Sequence, residues 1–201
     1  MNNLSIRGLV FSALFAAVLI ALSFLKFPLP FSPVPVTMQT LAVMLAATIL
    51  GARYGTISVI IVIGLVAAGF PVLGGRGGLS ILVGPTAGFI ISWPLATLVL
   101  GYLAKRLKQT KFTGLKLFFL NFLFGSILLY PLGVGWLAYS THMTTLTAAL
   151  SAGMIPFLPG DLVKAAISAV VTVSVWKVYP MEAIHGDELR MTERLKTKKP
   201  A

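Results

Sequence analysis

The 201-residue chain has no cysteine, so disulfides and thiolate metal sites are excluded. Its two histidines, His142 and His185, do not make up a zinc or iron–sulfur ligand set. Acidic residues are scarce as well. Of five, four fall in the last twenty residues, and Asp161 stands alone before them. A carboxylate pair for general acid–base work cannot be assembled from one residue. There is no Walker A motif, no GxSxG and no His-rich cluster, so an ATPase within this chain is excluded. Charge is low overall: 10% of residues, against about a quarter in a typical soluble domain.

What is present is apolar. Hydrophobic residues make up 57% of the chain, too many to leave in contact with water, so the class is integral membrane. The net charge of +11 does not imply nucleic acid. The basic residues are not interleaved with aromatics on a polar surface; they punctuate apolar segments, as topology determinants do. The opening "MNNLSIRGLVFSALFAAVLIALSF" has a signal-peptide flavour but no polar cleavage region, and reads as a retained first helix.

A spanning helix needs about 20 apolar residues. Six candidate spans follow: about Leu4–Leu25, Met38–Leu50, Thr56–Phe70, Pro85–Leu103, Leu115–Tyr139 and Pro159–Val178. The second and third are short for a bilayer. Between the first two lies "KFPLPFSPVPVT", whose prolines predict a kinked, non-helical loop. The expected organisation is one six-helix transmembrane domain over residues 1–180, with a polar tail over 181–201. One set of connections holds Arg7, Arg53, Lys105, Arg106, Lys108, Lys111, Lys116, Lys177 and the basic tail; the other holds only Lys26 and Arg76. The positive-inside rule therefore places both termini in the cytoplasm and the 27–37, 71–84 and 140–158 loops outside.

Asp161 and Lys164 head the last span, three residues apart and so on one helix face. One reading is a first-turn aspartate that caps the helix and pairs with a structural lysine. The other is a binding site offering an acceptor beside a donor, since charges inside a span normally face a cavity or each other. "GGRGG" at 74–78 is either a flexible loop or an anion cradle, in which Gly75 and Gly77 let the backbone approach a ligand and Arg76 supplies charge. "GPTAGF" is a helix start whose Thr86 could touch a ligand. Gln39, with Thr37 and Thr40, could cap the second span or reach a pocket. Phe89, Trp93, Trp136 and Tyr139 could form an aromatic wall, or in the case of Tyr139 a membrane-interface belt. Ala13, Ala17 and Ala21 form a small-residue stripe beside Gly8 and Ala16, suited to close helix packing within the bundle or against a partner.

The stretches "PVPVTMQTLAVMLAATILGARYG", "GFPVLGGRGGLSILVGPTAGFIISWPLA" and "FLPGDLVKA" together resemble the BioY family, in order and spacing, from about residue 8 to 178. These are biotin-specific substrate-binding (S) components of energy-coupling-factor (ECF) vitamin transporters. The resemblance implies an all-α, six-transmembrane-helix bundle of the ECF S-component type, not an enzyme and without a cofactor. It binds biotin near its outer face in the cell membrane of a prokaryote. Implied partners are a transmembrane coupling (T) protein, two ABC-type ATPases that use the ATP, and the lipid bilayer. A homo-oligomer is the implied form for a member acting alone. The family's last-helix Asp and Lys map onto Asp161 and Lys164, and its docking stripe onto Ala13, Ala17 and Ala21. The alternatives are an S component for another small vitamin and a stand-alone biotin transporter.

The chemistry of biotin suits these residues. Its ureido ring carries two N–H donors and one carbonyl. Asp161 can accept from an N–H, and Lys164 can donate to the carbonyl or pair with the carboxylate tail. The Asp161–Lys164 pair is neutral overall, so the carboxylate would want Arg76 and the glycine N–H groups.

Overall fold

The structure, a computed structural model, describes residues 4–107, 109–179 and 181–185. Among the described residues, five helical stretches, one of them the interrupted 113–140, are long and apolar enough to cross a membrane. The first, α1 (Ile6–Ser23), starts at Ser5, whose side chain caps it by accepting from the Gly8 N–H at 3.0 Å. Its buried positions are Gly8, Ser12, Ala16, Leu19 and Ser23, at helical spacing. Gly8 lies against the Tyr54 ring, where any Cβ would collide. The stripe seen in the sequence therefore splits in two: Gly8 and Ala16 face inward, while Ala13, Ala17 and Ala21 are exposed.

The proline-rich connection is non-helical, as expected, but it is a hairpin rather than a kinked loop. Strands β1 (Lys26–Leu29) and β2 (Ser32–Thr37) pair antiparallel, Lys26 opposite Thr37 and Leu29 opposite Ser32. The register shifts between Phe27 and Leu29, at Pro28, which has no N–H to give.

Helix α2 (Gln39–Ala67) carries the second and third expected spans. It is interrupted at Gly51, whose φ of 77° and ψ of 178° are not helical. A Cβ on Gly55 would stand 2.7 Å from the Ala46 carbonyl. Nine residues along a straight helix are about 13 Å apart, so the chain folds back at Gly51 and the arms 39–50 and 52–67 pack on each other. Gly101 of α4 (Ala87–Arg106) fits against the turn, where a side chain would strike Gly51 and Ala52. Thr56 and Thr97 hydroxyls bridge the same two elements at 3.0 Å.

The fifth expected span is not one continuous helix. It divides into α5 (Thr113–Gly125), a 3₁₀ turn at Ile127–Leu129 and α6 (Tyr130–Ser140). Gly125 sits where a side chain would meet Met44, and Pro131 lies at the start of α6, without an N–H for the helix before it. Short helices α3 (Leu79–Val83) and α7 (Leu146–Gly153) occupy two connections read as loops; α7 is capped by Thr145, which accepts from the Ala148 N–H. Helix α8 (Leu158–Val178) closes the bundle.

The packed chain also runs beyond residue 180. Helix α9 (Met181–His185) buries Met181, Ala183 and Ile184, and Ile184 packs with Ile49, Leu50 and Tyr54. Arg7 donates to the Ala183 carbonyl at 3.2 Å, so the two ends of the described chain meet at one end of the bundle. The rest of the expected tail, residues 186–201, lies outside the described residues, as does Lys108. The β-hairpin, the glycine loop, α3 and the N-terminal ends of α4 and α8 enclose a cavity elsewhere in the bundle.

Candidate functional site

The cavity has a volume of about 370 Å³, within the range of small-molecule sites. On its buried floor stand Asp161 and Lys164, 4% and 3% exposed. Pro159 opens α8 and puts Asp161 in its first turn. The side chain does not cap the helix. Lys164 Nζ donates to Oδ1 at 3.0 Å, and the Tyr130 hydroxyl donates to Oδ2 at 2.6 Å. Both carboxylate oxygens are thus held, and the capping reading of Asp161 gives way to a three-residue cluster. Two buried opposite charges cost desolvation that their attraction offsets only with good geometry and extra hydrogen bonds. Tyr130 supplies one such bond. Lys164 keeps N–H groups beyond the one given to Asp161.

Tyr130 reaches this place because the fifth span is broken. The 3₁₀ turn delivers Ser126, Leu129 and Tyr130 to the cavity wall together. The sequence reading missed Tyr130. The available signal was Tyr-Pro in the middle of an apolar span.

At the rim, Leu73 and Arg76 exchange both backbone hydrogen bonds, at 3.0 and 3.1 Å. Gly74 and Gly75 between them have φ of 59° and 80°, the paired positive angles of a primed two-residue turn that favour glycine. The turn sets Arg76, an exposed residue, on the cavity lining. Gly77 is pressed onto the Phe70 carbonyl, with no room for a side chain. Ser23 fastens the turn to α1: its hydroxyl accepts from the Gly74 N–H at 2.8 Å and contacts the Val72 carbonyl at 2.9 Å. Lys26, from β1, donates to the Gly74 carbonyl at 2.8 Å and also lines the cavity. Among the described residues, the lining holds three cationic side chains, Lys26, Arg76 and Lys164, against the one carboxylate of Asp161.

The remaining candidates divide. Gln39, Thr86 and Phe89 line the cavity. Gln39 accepts from the Thr37 hydroxyl at 3.0 Å. Thr86 is the N-terminal flanking residue of α4 and makes no side-chain cap. Phe89 meets Tyr130 edge-on, with centroids 6.3 Å apart. Gly75 and Gly77 shape the turn without lining the cavity. Trp136 and Tyr139 are not on the lining either. Trp136 Nε1 donates to the Gly84 carbonyl at 2.9 Å, tying α6 to the approach of α4, and the ring of the 74%-exposed Tyr139 meets it at a tilt, with centroids 5.8 Å apart. The aromatic wall is Phe89, Trp93, Tyr130 and Phe157 instead. No group of three His, Cys, Asp or Glu side chains comes together among the described residues.

Comparison with known proteins agrees with this architecture. The sequence model of the BioY family matches residues 1–181. A biotin transporter BioY of Rhizobium etli is 45% identical over 184 residues, covering 89% of this chain and 97% of that protein. A probable biotin transporter BioY of Bacillus subtilis is 42% identical, covering 81% and 87%. The crystal structure of the S-component for biotin from an ECF-type ABC transporter superposes with a TM-score of 0.83 at 33% identity, covering 90% of this chain and 96% of that one. A fold of membrane-capable helices, matched along nearly its whole length in sequence and in three dimensions, identifies the chain as a member of the BioY family.

Proposed function

We propose that the protein is the biotin-binding S component of an ECF-type uptake transporter. The observation that carries this is the buried Asp161–Lys164–Tyr130 cluster in a cavity of about 370 Å³ whose rim is cationic. The neutral pair suits the uncharged ureido ring, and Arg76 and Lys26 suit a carboxylate. The relatives named as biotin transporters point to the same ligand. Its family and relatives are transporters rather than enzymes, and on this reading it binds and delivers.

Counting the folded-back arms of α2 separately, the chain crosses the membrane six times. Both termini then face the cytoplasm of a prokaryotic cell, on the side rich in Lys and Arg, and the cavity opens outward. The exposed Ala13, Ala17 and Ala21 form a docking face for a T protein, which in turn engages two ABC-type ATPases. A stand-alone transporter is the second reading, and a homo-oligomer the form it would take.

Titration calorimetry of the purified chain with biotin tests the proposal, alongside mass spectrometry of what co-purifies. Saturable biotin binding that falls sharply in both Asp161→Asn and Lys164→Met supports it. Unchanged affinity in both variants sinks it.

A further inference from the structure

Helices α4, α5 and α8 share a second packed junction, at the ends of α4 and α8 remote from the cavity. Ala104 of α4, Leu117 of α5 and Trp176 of α8 belong to one apolar cluster there, with Leu107 and Val173 packed against it. Gly114, in the first turn of α5, lies beside α8, where a Cβ would stand 3.9 Å from Val173 Cγ2. Each of the three cluster residues has a lysine as its chain neighbour: Lys105, Lys116 and Lys177. Arg106 follows Lys105, and Lys111 stands in the turn between α4 and α5. Consecutive Cα atoms are only about 3.8 Å apart, so the cluster gathers the backbones of these lysines at one junction. All five cationic side chains are exposed, and none has a carboxylate within ion-pair distance among the described residues.

The surroundings restrict what such charges can meet. Phe112, Leu115 and Phe119 recur at helical spacing at the start of α5, and each is more than half exposed. On a membrane protein such a stripe lies against acyl chains, so the charges beside it stand at headgroup depth. The Arg106 guanidinium sits 4.2 Å from the centroid of the exposed Tyr102 ring, one turn back along α4, an aromatic–cation pairing suited to that interface. Lys116 Nζ donates to Thr110 Oγ1 at 3.3 Å and keeps further N–H groups for an outside acceptor. Topology requires an excess of positive charge on one side of the membrane, and any distribution over the connections would serve. Charges gathered at a three-helix junction beside an apolar stripe suit a ligand that is anionic at headgroup level and carries acyl chains.

We propose that the α4–α5–α8 junction is a binding surface for an anionic phospholipid. Lys105, Arg106, Lys116 and Lys177 attract the headgroup phosphate, and the acyl chains lie along Phe112, Leu115 and Phe119. The surface is separate from the cavity. Lys105 and Lys177 stand at the opposite ends of α4 and α8 from Thr86 and Asp161, and the twenty residues of α4 alone span about 30 Å. The proposal goes beyond the biotin reading and does not rest on it.

The test is native mass spectrometry of the full chain in detergent, offered phosphatidylglycerol and phosphatidylcholine in equal amounts with the same acyl chains. The wild type should retain phosphatidylglycerol preferentially, and the preference should fall with added salt. Changing Lys105, Lys116 and Lys177 together to Gln should reduce it about tenfold or more, and changing the same three to Arg should preserve it. Changing Lys196, Lys198 and Lys199 to Gln removes equal charge elsewhere in the chain and should alter the preference less than about twofold. A wild-type chain that takes up both lipids equally overturns the proposal and leaves the charges to topology or to an acidic protein surface. So does a 196–199 variant that loses as much as the junction variant, because net charge and not the junction then sets the preference. If the triple Gln variant does not fold, Lys177→Gln carries the same readout, and an unchanged preference there is equally fatal. Biotin affinity, measured on the same variants, should stay within about twofold of wild type. A wild-type chain that binds no biotin sinks the biotin reading alone, and the lipid preference still decides this one.

Discussion

The floor and the rim of the cavity both carry cations, but in opposite circumstances. Lys164 at the floor is buried and faces a carboxylate 3.0 Å away. Lys26 and Arg76 at the rim are exposed, and neither has an acidic side chain in salt-bridge contact among the described residues. The floor is thus neutral and rich in directional hydrogen bonds, while the rim is positive and open to water. Such a gradient orients a ligand that is polar but uncharged at one end and anionic at the other. It also assigns different physics to each end: geometry and desolvation decide at the floor, and screened Coulomb attraction at the rim.

Breaking the floor should have the largest effect. Lys164→Met leaves Asp161 a buried carboxylate without its cation, and biotin binding should weaken by about 2–5 kcal/mol, tens to thousands of fold. Calorimetry reads this directly, and a loss of thermal stability should accompany it, because one partner of a buried pair is stranded. Tyr130→Phe comes next. It removes a hydrogen bond to a charged group, worth about 1.5–3 kcal/mol, and frees Asp161 Oδ2 to rotate. Affinity should fall with little change in salt dependence.

Arg76→Ala tests the rim. The expected loss is about tenfold or less, because the residue is exposed and its attraction is screened. Its signature is qualitative. Wild-type affinity should decline with added salt and favour biotin over its neutral amide, and the variant, left with Lys26 alone at the rim, should show both trends more weakly. If Arg76→Ala discriminates the amide as well as wild type does, the assignment of the carboxylate to the rim is wrong. Ser23→Ala should be the mildest. It removes two contacts to the glycine turn, each worth about 1 kcal/mol, and should chiefly speed biotin release, as stopped-flow displacement would record.

How much of this could be read from the sequence depended on whether the signal was local. Asp161 and Lys164 stood out because a charge inside an apolar run is costly wherever the chain goes. The glycine turn was legible for the same reason, since positive φ at Gly74 and Gly75 is a property of those residues. Tyr130 and Ser126 were not legible. Their positions depend on a helix break set by Gly125 against Met44, a contact 81 residues apart in sequence. The fold-back at Gly51 was read only as two short spans, because the packing of Gly101 on the turn comes from another helix. Nor could the sequence say which of the two small-residue stripes on α1 faces outward. Gly8 turns inward because the Tyr54 ring lies over it.

Ser23 has a mechanical consequence. Ser23 is the last residue of α1, and its hydroxyl grips the turn that carries Arg76, with Lys26 of β1 gripping the same turn at the Gly74 carbonyl. The last turn of α1 and the cavity rim are riveted. A tilt of α1 against the bundle must either drag Arg76 along or shear the Ser23 and Lys26 bonds to Gly74, so the pose of the outward alanine face and the hold on a bound anion are one degree of freedom rather than two.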